Sequence, residues 1–268
     1  MATLAFIGGG NMASAILGGL LASGQPAAAV QVVEPDPAQR ERLRESYGID
    51  ALAAADASLA QAGTVVWAVK PQRFADAVAP CAAYLGGALH LSVMAGIRSV
   101  TLARALGTER IVRAMPNTPA LIGQGIAGLY ARDAVQPGER TRVEHLLAST
   151  GRTLWVVRED DLDAVTALSG SGPAYVFYFV EAMIEAALQM GLTAAQGQQL
   201  ALATFAGATA LAQGSADPPA LLRERVTSKG GTTDAALRSL EAAGVKASFV
   251  TALQAARRRA QELGDEFG

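Results

Sequence analysis

Short apolar runs, rich in β-branched residues, alternate with amphipathic stretches along the first part of the chain. Runs of this length predict buried strands, and the helix-compatible sequence between them predicts the crossover helices of a parallel sheet. The five predicted strands are 3–7, 30–34, 64–69, 88–93 and 110–115. Two further strand candidates, 125–131 and 152–157, flank a predicted helix around 138–149.

The hydrophobic pattern of the sequence changes after residues 158–165. Ala- and Leu-rich helical periodicity continues from there to the end of the chain, and no further strand is predicted. We therefore place a boundary near residue 160, with an α/β domain over 1–160 and an all-helical domain over 161–268. A chain of 268 residues with 51% hydrophobic residues is long enough for two modest cores.

Net charge and cysteine content limit the classes of function expected for this chain. The formal net charge is −2, and the only basic cluster, 256–262, predicts a solvated helix face, so a nucleic-acid partner is not expected. The single Cys81 cannot form an internal disulfide, and no Cys/His spacing predicts a metal site. These features favour a reducing, cytoplasmic setting.

The most apolar run, 173–190, contains Glu181 and Glu185 and therefore predicts a buried or interface helix, not a membrane span. The amino terminus has no basic segment and enters a predicted strand at once, so no signal peptide is expected. We expect no membrane partner.

A glycine-rich turn follows the first predicted strand. Gly8, Gly10 and Ala13 fit the pattern G-x-G-x-x-A, and a helix follows without a gap. Gly8 permits a tight turn, Gly10 lets the backbone approach a pyrophosphate, and Ala13 lets the helix pack closely on the strand. A purely structural turn is the alternative. Glu34, at the end of the second strand, favours a dinucleotide-binding domain of the Rossmann type.

Glu34 also bears on the choice of dinucleotide. A carboxylate at this position favours the free 2′-hydroxyl of NAD and repels the 2′-phosphate of NADP. Arg40 and Arg42 lie close enough in sequence to act as counter-charges, so NADP stays open. In the other alternative, Glu34 is only a solvated strand end.

Three more segments fall at predicted strand ends: 67–72, 93–96 and 115–125. Pro71 stops one strand and fixes its turn, and prolines at 116 and 119 bracket Asn117 in a rigid loop. Because the carboxyl ends of parallel strands share one edge of a sheet, these segments predict a cofactor cleft. The alternative for 67–72 is an ordinary strand-end turn with a surface lysine.

Five motifs, in this order and spacing, resemble the pyrroline-5-carboxylate reductase family, which catalyses the last step of proline biosynthesis: 8–12, 68–72, 115–119, 169–177 and 227–237. The resemblance spans essentially the whole chain. It implies an NAD(P)H-dependent reductase that converts 1-pyrroline-5-carboxylate to L-proline, with a Rossmann domain followed by an all-α dimerisation domain. It also implies homodimers that can assemble further into decamers.

The resemblance and the strand-end positions together assign two sets of residues. The expected cofactor-binding residues are Ile7, Gly8, Gly9, Gly10, Asn11, Met12, Glu34, Ala68, Val69, Lys70, Pro71, Met94, Ala95 and Asn117. The expected substrate-binding residues are Val226, Ser228, Gly230, Gly231, Thr232 and Thr233. The resemblance aligns Thr233 with the family threonine that hydrogen-bonds the imine nitrogen, so Thr233 is the expected catalytic residue and Thr232 its nearest competitor.

The segment 227–241 suits a small carboxylate on physical grounds as well. Gly230 and Gly231 offer successive N–H groups, Ser228 offers a hydroxyl, and the following helix adds the positive end of its dipole. In the alternative interpretation, Thr232 or Thr233 is a helix N-cap and Gly244 the C-cap. Lys229 stands where many relatives have proline, and we expect it to support binding only.

The reaction needs hydride at C5, a proton on the ring nitrogen and an anchor for a carboxylate. No strong general base is required, because the imine can arrive protonated or take its proton through a hydroxyl. This fits a chain with two histidines, His90 and His145, neither of which we expect to be catalytic. Ser169 and Ser171 are expected to lie at a helix kink and not to act in catalysis.

Two other functions stay open at this point. A β-hydroxyacid dehydrogenase would require a lysine shortly after its glycine-rich helix start, but the chain has only Lys70, Lys229 and Lys246. A protein that binds NAD(P) without turnover is the second possibility, since fold does not imply function.

Overall fold

The computed structural model describes residues 3–267 and divides into two compact units. The first unit combines Met1–Ser171 with Ala256–Gly268, and the second is Gly172–Ala255. The boundary predicted near residue 160 lies inside the first unit. The return of the last residues of the chain to the first unit has no counterpart in the sequence prediction.

A seven-stranded sheet forms the centre of the first unit, with the order β2-β1-β3-β4-β5-β6-β7. The strands are β1 (Thr3–Ile7), β2 (Val30–Val33), β3 (Ala62–Trp67), β4 (Leu89–Ser92), β5 (Ile111–Met115), β6 (Gly125–Ala131) and β7 (Gly151–Trp155). All seven predicted strands are confirmed as elements. The topological switch point lies between β1 and β3, which is where a doubly wound sheet opens its ligand crevice.

The prediction of a parallel sheet holds for every neighbouring pair except β5 and β6, which are antiparallel. The segment 116–124 between them contains one 3₁₀ turn, Thr118–Ile122, and no crossover helix. A parallel return needs a connection of about a dozen residues or more, so this short segment turns the chain back on itself.

Helices cover both faces of the sheet. In the first unit they are α1 (Asn11–Ala22), α2 (Pro37–Tyr47), α3 (Phe74–Cys81), α4 (Ser99–Leu106), α5 (Pro137–Leu147) and α6 (Asp161–Val165), together with the part of the last helix that begins at Ala256. Asp36 accepts a hydrogen bond from Ala38 N (3.0 Å) and caps α2, whereas Gln136 and Glu139 form a capping box on α5. The alternation of side chains along β1 divides the core: Leu4 and Phe6 join the cluster under α1, and Ala5 and Ile7 join the opposite cluster.

A buried charge cluster holds the segment after β7 against the sheet. The Glu159 carboxylate accepts from Arg113 Nη1 (2.7 Å) and from Ser99 N and Oγ (both 2.5 Å). Arg98 pairs with Asp163 (3.0 Å). Although burial acts in the opposite direction, the Ser99 hydrogen bonds and the Arg113 charge hold the pKa of Glu159 below its usual value.

The second unit consists of α7 (Gly172–Gln189), α8 (Ala194–Gln213), α9 (Pro219–Arg225), α10 (Thr232–Ala242) and the first part of α11 (Val245–Glu266). Gly197 on α8 lets the helix approach α7 closely, because a Cβ there would lie 2.8 Å from Ala187 Cβ. Tyr175, Phe179 and Phe249 form an aromatic cluster. Large apolar side chains nevertheless stay exposed in the isolated chain, among them Val176, Phe177, Tyr178, Met183, Leu188, Leu200, Leu202 and Leu211.

None of the helices in the described part of the chain is both long and apolar enough to cross a membrane. Within the same residues, no three His, Cys, Asp or Glu side chains are grouped so that they could hold a metal ion.

Candidate active site

The glycine turn after β1 joins the ends of three strands. Gly8 has a φ of +96°, and a Cβ at this position would lie 2.7 Å from Ala68 O at the end of β3. Gly8 N donates to Val33 O (2.9 Å), and Ala68 N donates to Ile7 O (2.8 Å). The turn is therefore closed against β2 and β3 by the main chain, which only glycine at position 8 permits.

Gly10, two residues later, leaves the start of α1 open. Gly10 is the N-cap residue with extended backbone (φ −69°), and a Cβ built on it meets no atom within 4 Å. Within residues 3–267, no side chain caps this helix, and its first turn contains no acidic residue. The N–H groups of the first turn thus face open space with the positive end of the helix dipole, which fits the pyrophosphate of a dinucleotide.

The other predicted cofactor residues lie around this turn, some of them exposed and others with side chains buried in the core. Asn11 and Met12 begin α1, and Lys70 is the exposed N-cap of a 3₁₀ turn that starts at Pro71. The side chains of Ile7 and Met94 are buried in the core, so only their backbone can face a ligand. Val69 packs against Gly8, with Cγ1 at 3.0 Å from the position of an added Cβ, and Ala95 is half-buried beside Gly96.

Asn117 has a different environment from the one its sequence position suggests. Its Oδ1 accepts from Ile126 N (3.0 Å), and its Nδ2 donates to Ser169 O (3.1 Å). Ser169 belongs to a π-helical turn, Thr166–Gly170, in which regular α-helical bonding is interrupted. Both ends of the amide are therefore engaged in holding the loop after β5, and the side chain orders this loop.

The predicted substrate residues lie in the second unit, in the segment between α9 and α10 and in the first turn of α10. Gly230 has a φ of +76°, and its N–H donates to Asp234 Oδ2 (2.9 Å). Gly231 N donates to Ser228 O (2.9 Å). The two glycine N–H groups expected to receive a carboxylate are thus engaged within the loop. The first-turn N–H groups of α10, at Thr232, Thr233 and Asp234, have no partner four residues earlier in the helix.

The capping alternative for the two threonines is wrong. The N-cap of α10 is Gly231, and Thr232 and Thr233 are the first two residues of the helix. Neither threonine hydroxyl forms a hydrogen bond with any described residue. Gly244, with a φ of +66°, follows the C-cap residue Ala243 and does not itself occupy that position. Thr233 is half-buried in the first turn of the helix.

Sequence reasoning missed Asp234 as the residue that fixes this loop. Asp234 also forms an ion pair with Arg238 (3.1 Å) one turn later. The i,i+4 spacing of the pair was visible in the sequence and could have indicated it. A cavity of about 500 Å³ between α9 and α10 is lined by Thr227, Asp234 and Arg238, but not by Ser228 or Thr233.

The amino-acid sequence is similar to those of known pyrroline-5-carboxylate reductases. A pyrroline-5-carboxylate reductase from Pseudomonas aeruginosa is 42% identical over 269 aligned residues, covering 99% of this chain and 98% of the relative. This chain belongs to the pyrroline-5-carboxylate reductase family. A family model described as pyrroline-5-carboxylate reductase dimerisation matches residues 159–263, and one described as NADP oxidoreductase, coenzyme F420-dependent, matches residues 3–96.

Solved structures of pyrroline-5-carboxylate reductases share the fold across both units. The Coxiella burnetii reductase superposes with a TM-score of 0.91 at 35% identity, covering 98% of each chain. The Plasmodium falciparum reductase, solved with NADP bound, gives a TM-score of 0.87 at 28% identity, again covering 98% of each chain. The Rossmann-like sheet and the helical carboxy-terminal half predicted from sequence are confirmed, as is the family itself.

Proposed function

We propose that this protein reduces 1-pyrroline-5-carboxylate to L-proline with NAD(P)H, the last step of proline biosynthesis. The observation that carries the proposal is membership of the pyrroline-5-carboxylate reductase family over nearly the full length of the chain. The division of labour belongs to the same proposal: residues 1–160 bind the cofactor, and residues 161–268 bind substrate and form the dimer. A cytoplasmic location is also part of this proposal.

The open start of α1 supports the cofactor part of the proposal. Gly10 and the first-turn N–H groups, at Asn11 and Met12, hold the pyrophosphate, and Glu34 receives a ribose hydroxyl. The ends of β3 and β4, at Ala68–Pro71 and at Met94 and Ala95, line the crevice with backbone groups, while Asn117 orders the loop beside them. Reduced nicotinamide, when bound, supplies the hydride.

The start of α10 supports the substrate part. The Ser228 hydroxyl and the N–H groups of Thr232 and Thr233 bind the carboxylate, assisted by the helix dipole. Gly230 and Gly231 shape the turn, and the exposed Val226 side chain contacts the apolar edge of the ring. The Thr233 hydroxyl hydrogen-bonds the ring nitrogen. As hydride adds to C5, the C=N π electrons move to nitrogen, which carries the proton of the protonated imine into the product amine.

The proposed activity is tested by the loss of reduced-nicotinamide absorbance on adding 1-pyrroline-5-carboxylate, with NADH and NADPH in parallel. We expect oxidation that depends on the imine and produces L-proline. Binding of a cofactor without oxidation by either one would contradict the proposal and favour a reductase of other cyclic imines or a non-catalytic NAD(P)-binding protein.

Thr233→Val should reduce kcat/KM by about fivefold to 150-fold, because it removes one hydrogen bond to the reacting group, worth on the order of 1–3 kcal/mol. The fold should survive, since the hydroxyl bonds to no other described residue. Steady-state kinetics with saturating cofactor would measure the loss. Thr232→Val, one position earlier, is the matched control and should have a smaller effect. If the two variants exchanged these effects, Thr232 would be the catalytic residue.

Self-association is supported by the exposed apolar side chains of α7 and α8 and by the dimerisation family model. We expect at least a homodimer by light scattering at micromolar concentration, and a decamer if dimers associate further. Phe177→Glu, at a side chain 59% exposed in the single chain, should weaken the dimer. Val157→Glu, at a position 91% exposed in the first unit, should not. A monomeric wild-type protein would contradict this proposal.

A further inference from the structure

The carboxylate of Glu34, just beyond β2, is held in one orientation by two backbone N–H groups. Oε2 accepts from Gly9 N (2.8 Å) in the glycine turn, and Oε1 accepts from Asp36 N (2.9 Å). An ionised carboxylate has about four acceptor positions, so each oxygen can accept another hydrogen bond. The side chain is half-buried and fixed beside the turn that precedes the open start of α1.

A second carboxylate, that of Asp36, lies two positions later in the chain. Asp36 uses its side chain to cap α2, accepting from Ala38 N (3.0 Å), and stays exposed. The end of β2 therefore presents two negative charges, both fixed by backbone hydrogen bonds.

The arginines of α2 donate to groups other than the Glu34 carboxylate. Arg40 Nη1 donates to the backbone oxygens of Glu34 (2.9 Å) and Pro35 (2.8 Å). Arg42 Nη1 donates to Gln39 Oε1 (3.2 Å), and Arg44 forms a salt bridge with Glu41 (2.5 Å). In the part of the chain that the structure describes, the Glu34 carboxylate has no cationic partner.

We propose that this chain selects NADH over NADPH and that Glu34 is the residue that determines the selection. The inference rests on the proposed use of a nicotinamide cofactor. The 2′-hydroxyl of the adenosine ribose donates to a remaining lone pair of Glu34, whereas a 2′-phosphate meets a fixed carboxylate and has no proton to give. The P. falciparum relative was solved with NADP bound, so the phosphorylated cofactor is the one against which NADH must be compared in this chain.

Binding measurements test the inference independently of turnover. Dissociation constants of NADH and NADPH, and of ADP-ribose and 2′-phospho-ADP-ribose, would be measured by calorimetry for wild type and three variants. We expect wild type to bind each unphosphorylated ligand at least about tenfold more tightly, which is the size of one like-charge interaction at a few ångströms near the surface. Equal affinities, or tighter binding of the phosphorylated ligands, would overturn the inference.

Glu34→Gln removes the charge and keeps the size of the side chain. A glutamine can accept from only one of the two N–H groups that Glu34 engages, so all affinities are expected to fall by a common factor. The readout is therefore the NADPH-to-NADH affinity ratio, which should rise about tenfold. Asp36→Asn keeps a good N-cap residue and should raise the ratio by a smaller factor. An unchanged ratio in Glu34→Gln would overturn the assignment to Glu34.

Arg40→Gln is the matched control on the opposite charge. Because Arg40 is bonded to backbone oxygens, its loss should leave the affinity ratio unchanged within about twofold. A selective loss of NADPH affinity in this variant would show that Arg40 receives the phosphate and would overturn the inference.

Failure of the reductase assay with the binding preference intact would contradict only the proposed activity. Equal use of both cofactors in that assay, with matching affinities, would contradict only the selection of NADH.

Discussion

Gly8→Ala should lower the free energy of unfolding of the first unit by about 3 kcal/mol and abolish measurable cofactor binding. The native φ of +96° is unfavourable for any residue with a Cβ, which costs on the order of 1–3 kcal/mol. The added methyl group would also lie 2.7 Å from Ala68 O and 2.9 Å from Ala68 C. Both are main-chain atoms at the end of a central strand, so they cannot rotate away, and overpacking adds about 1–3 kcal/mol. Chemical unfolding and NADH titration would measure the two effects.

Gly10→Ala is the matched control, two residues further along the same turn. Its φ of −69° is acceptable for alanine, and a Cβ meets nothing within 4 Å. We expect a stability loss of at most about 1 kcal/mol, the cost of alanine at an N-cap. The methyl group would instead enter the open space at the start of α1 and weaken binding of the cofactor. Wild-type cofactor affinity in Gly10→Ala would show that the pyrophosphate does not bind at this helix start, and wild-type stability in Gly8→Ala would contradict the strain argument.

The sheet could be predicted because its strands carry their own signal. Runs such as Val30–Val33 and Ile111–Met115 are mostly apolar, contain β-branched residues and are closely followed by a proline, so local composition indicates their structure. The antiparallel direction of β6 depends instead on the short length of the segment before it. The composition of the strands does not indicate this direction. The glycine turn was equally readable, because Gly8 is required by backbone geometry.

Side-chain pairing between residues distant in the chain could not be predicted in the same way. Asn117 contacts Ser169, which is 52 positions later in the chain, and Glu159 contacts Arg113 and Ser99, which are 46 and 60 positions earlier. Partners this distant are set by tertiary packing, which leaves no local pattern in the sequence. Asp234 differs from these residues. Its carboxylate accepts from Gly230 N only four positions earlier, so this hydrogen bond could have been predicted from the sequence. The expectation that both glycine N–H groups bind a carboxylate excluded it.

His90 provides the second large effect, a loss of stability in mild acid. The ring lies in β4, 1% exposed, and its Nδ1 accepts a hydrogen bond from Trp67 Nε1 (3.0 Å). Protonation would place a second donor against the indole N–H and a charge in the core. Burial, helped by the charge of Arg110, lowers the pKa of His90 from 6.5 to about 4. The group is therefore neutral in the folded protein over a pH range in which the unfolded chain binds a proton.

The direction of the pH dependence follows from the number of protons that the folded and unfolded states bind. Between pH 6.5 and about 4 the unfolded state binds one more proton than the folded state at this site, so the free energy of unfolding falls as pH falls. The slope approaches 1.36 kcal/mol per pH unit, and the total approaches about 3 kcal/mol at pH 4. Urea unfolding at fixed protein concentration, repeated across this range, should show the slope in wild type and in His145→Gln, which alters the exposed histidine of α5. His90→Gln should have a smaller slope whatever its own stability, and the remaining slope comes from carboxylates such as Glu159, whose pKa is lowered in the folded protein. An unchanged slope in that variant would assign the acid sensitivity to other groups.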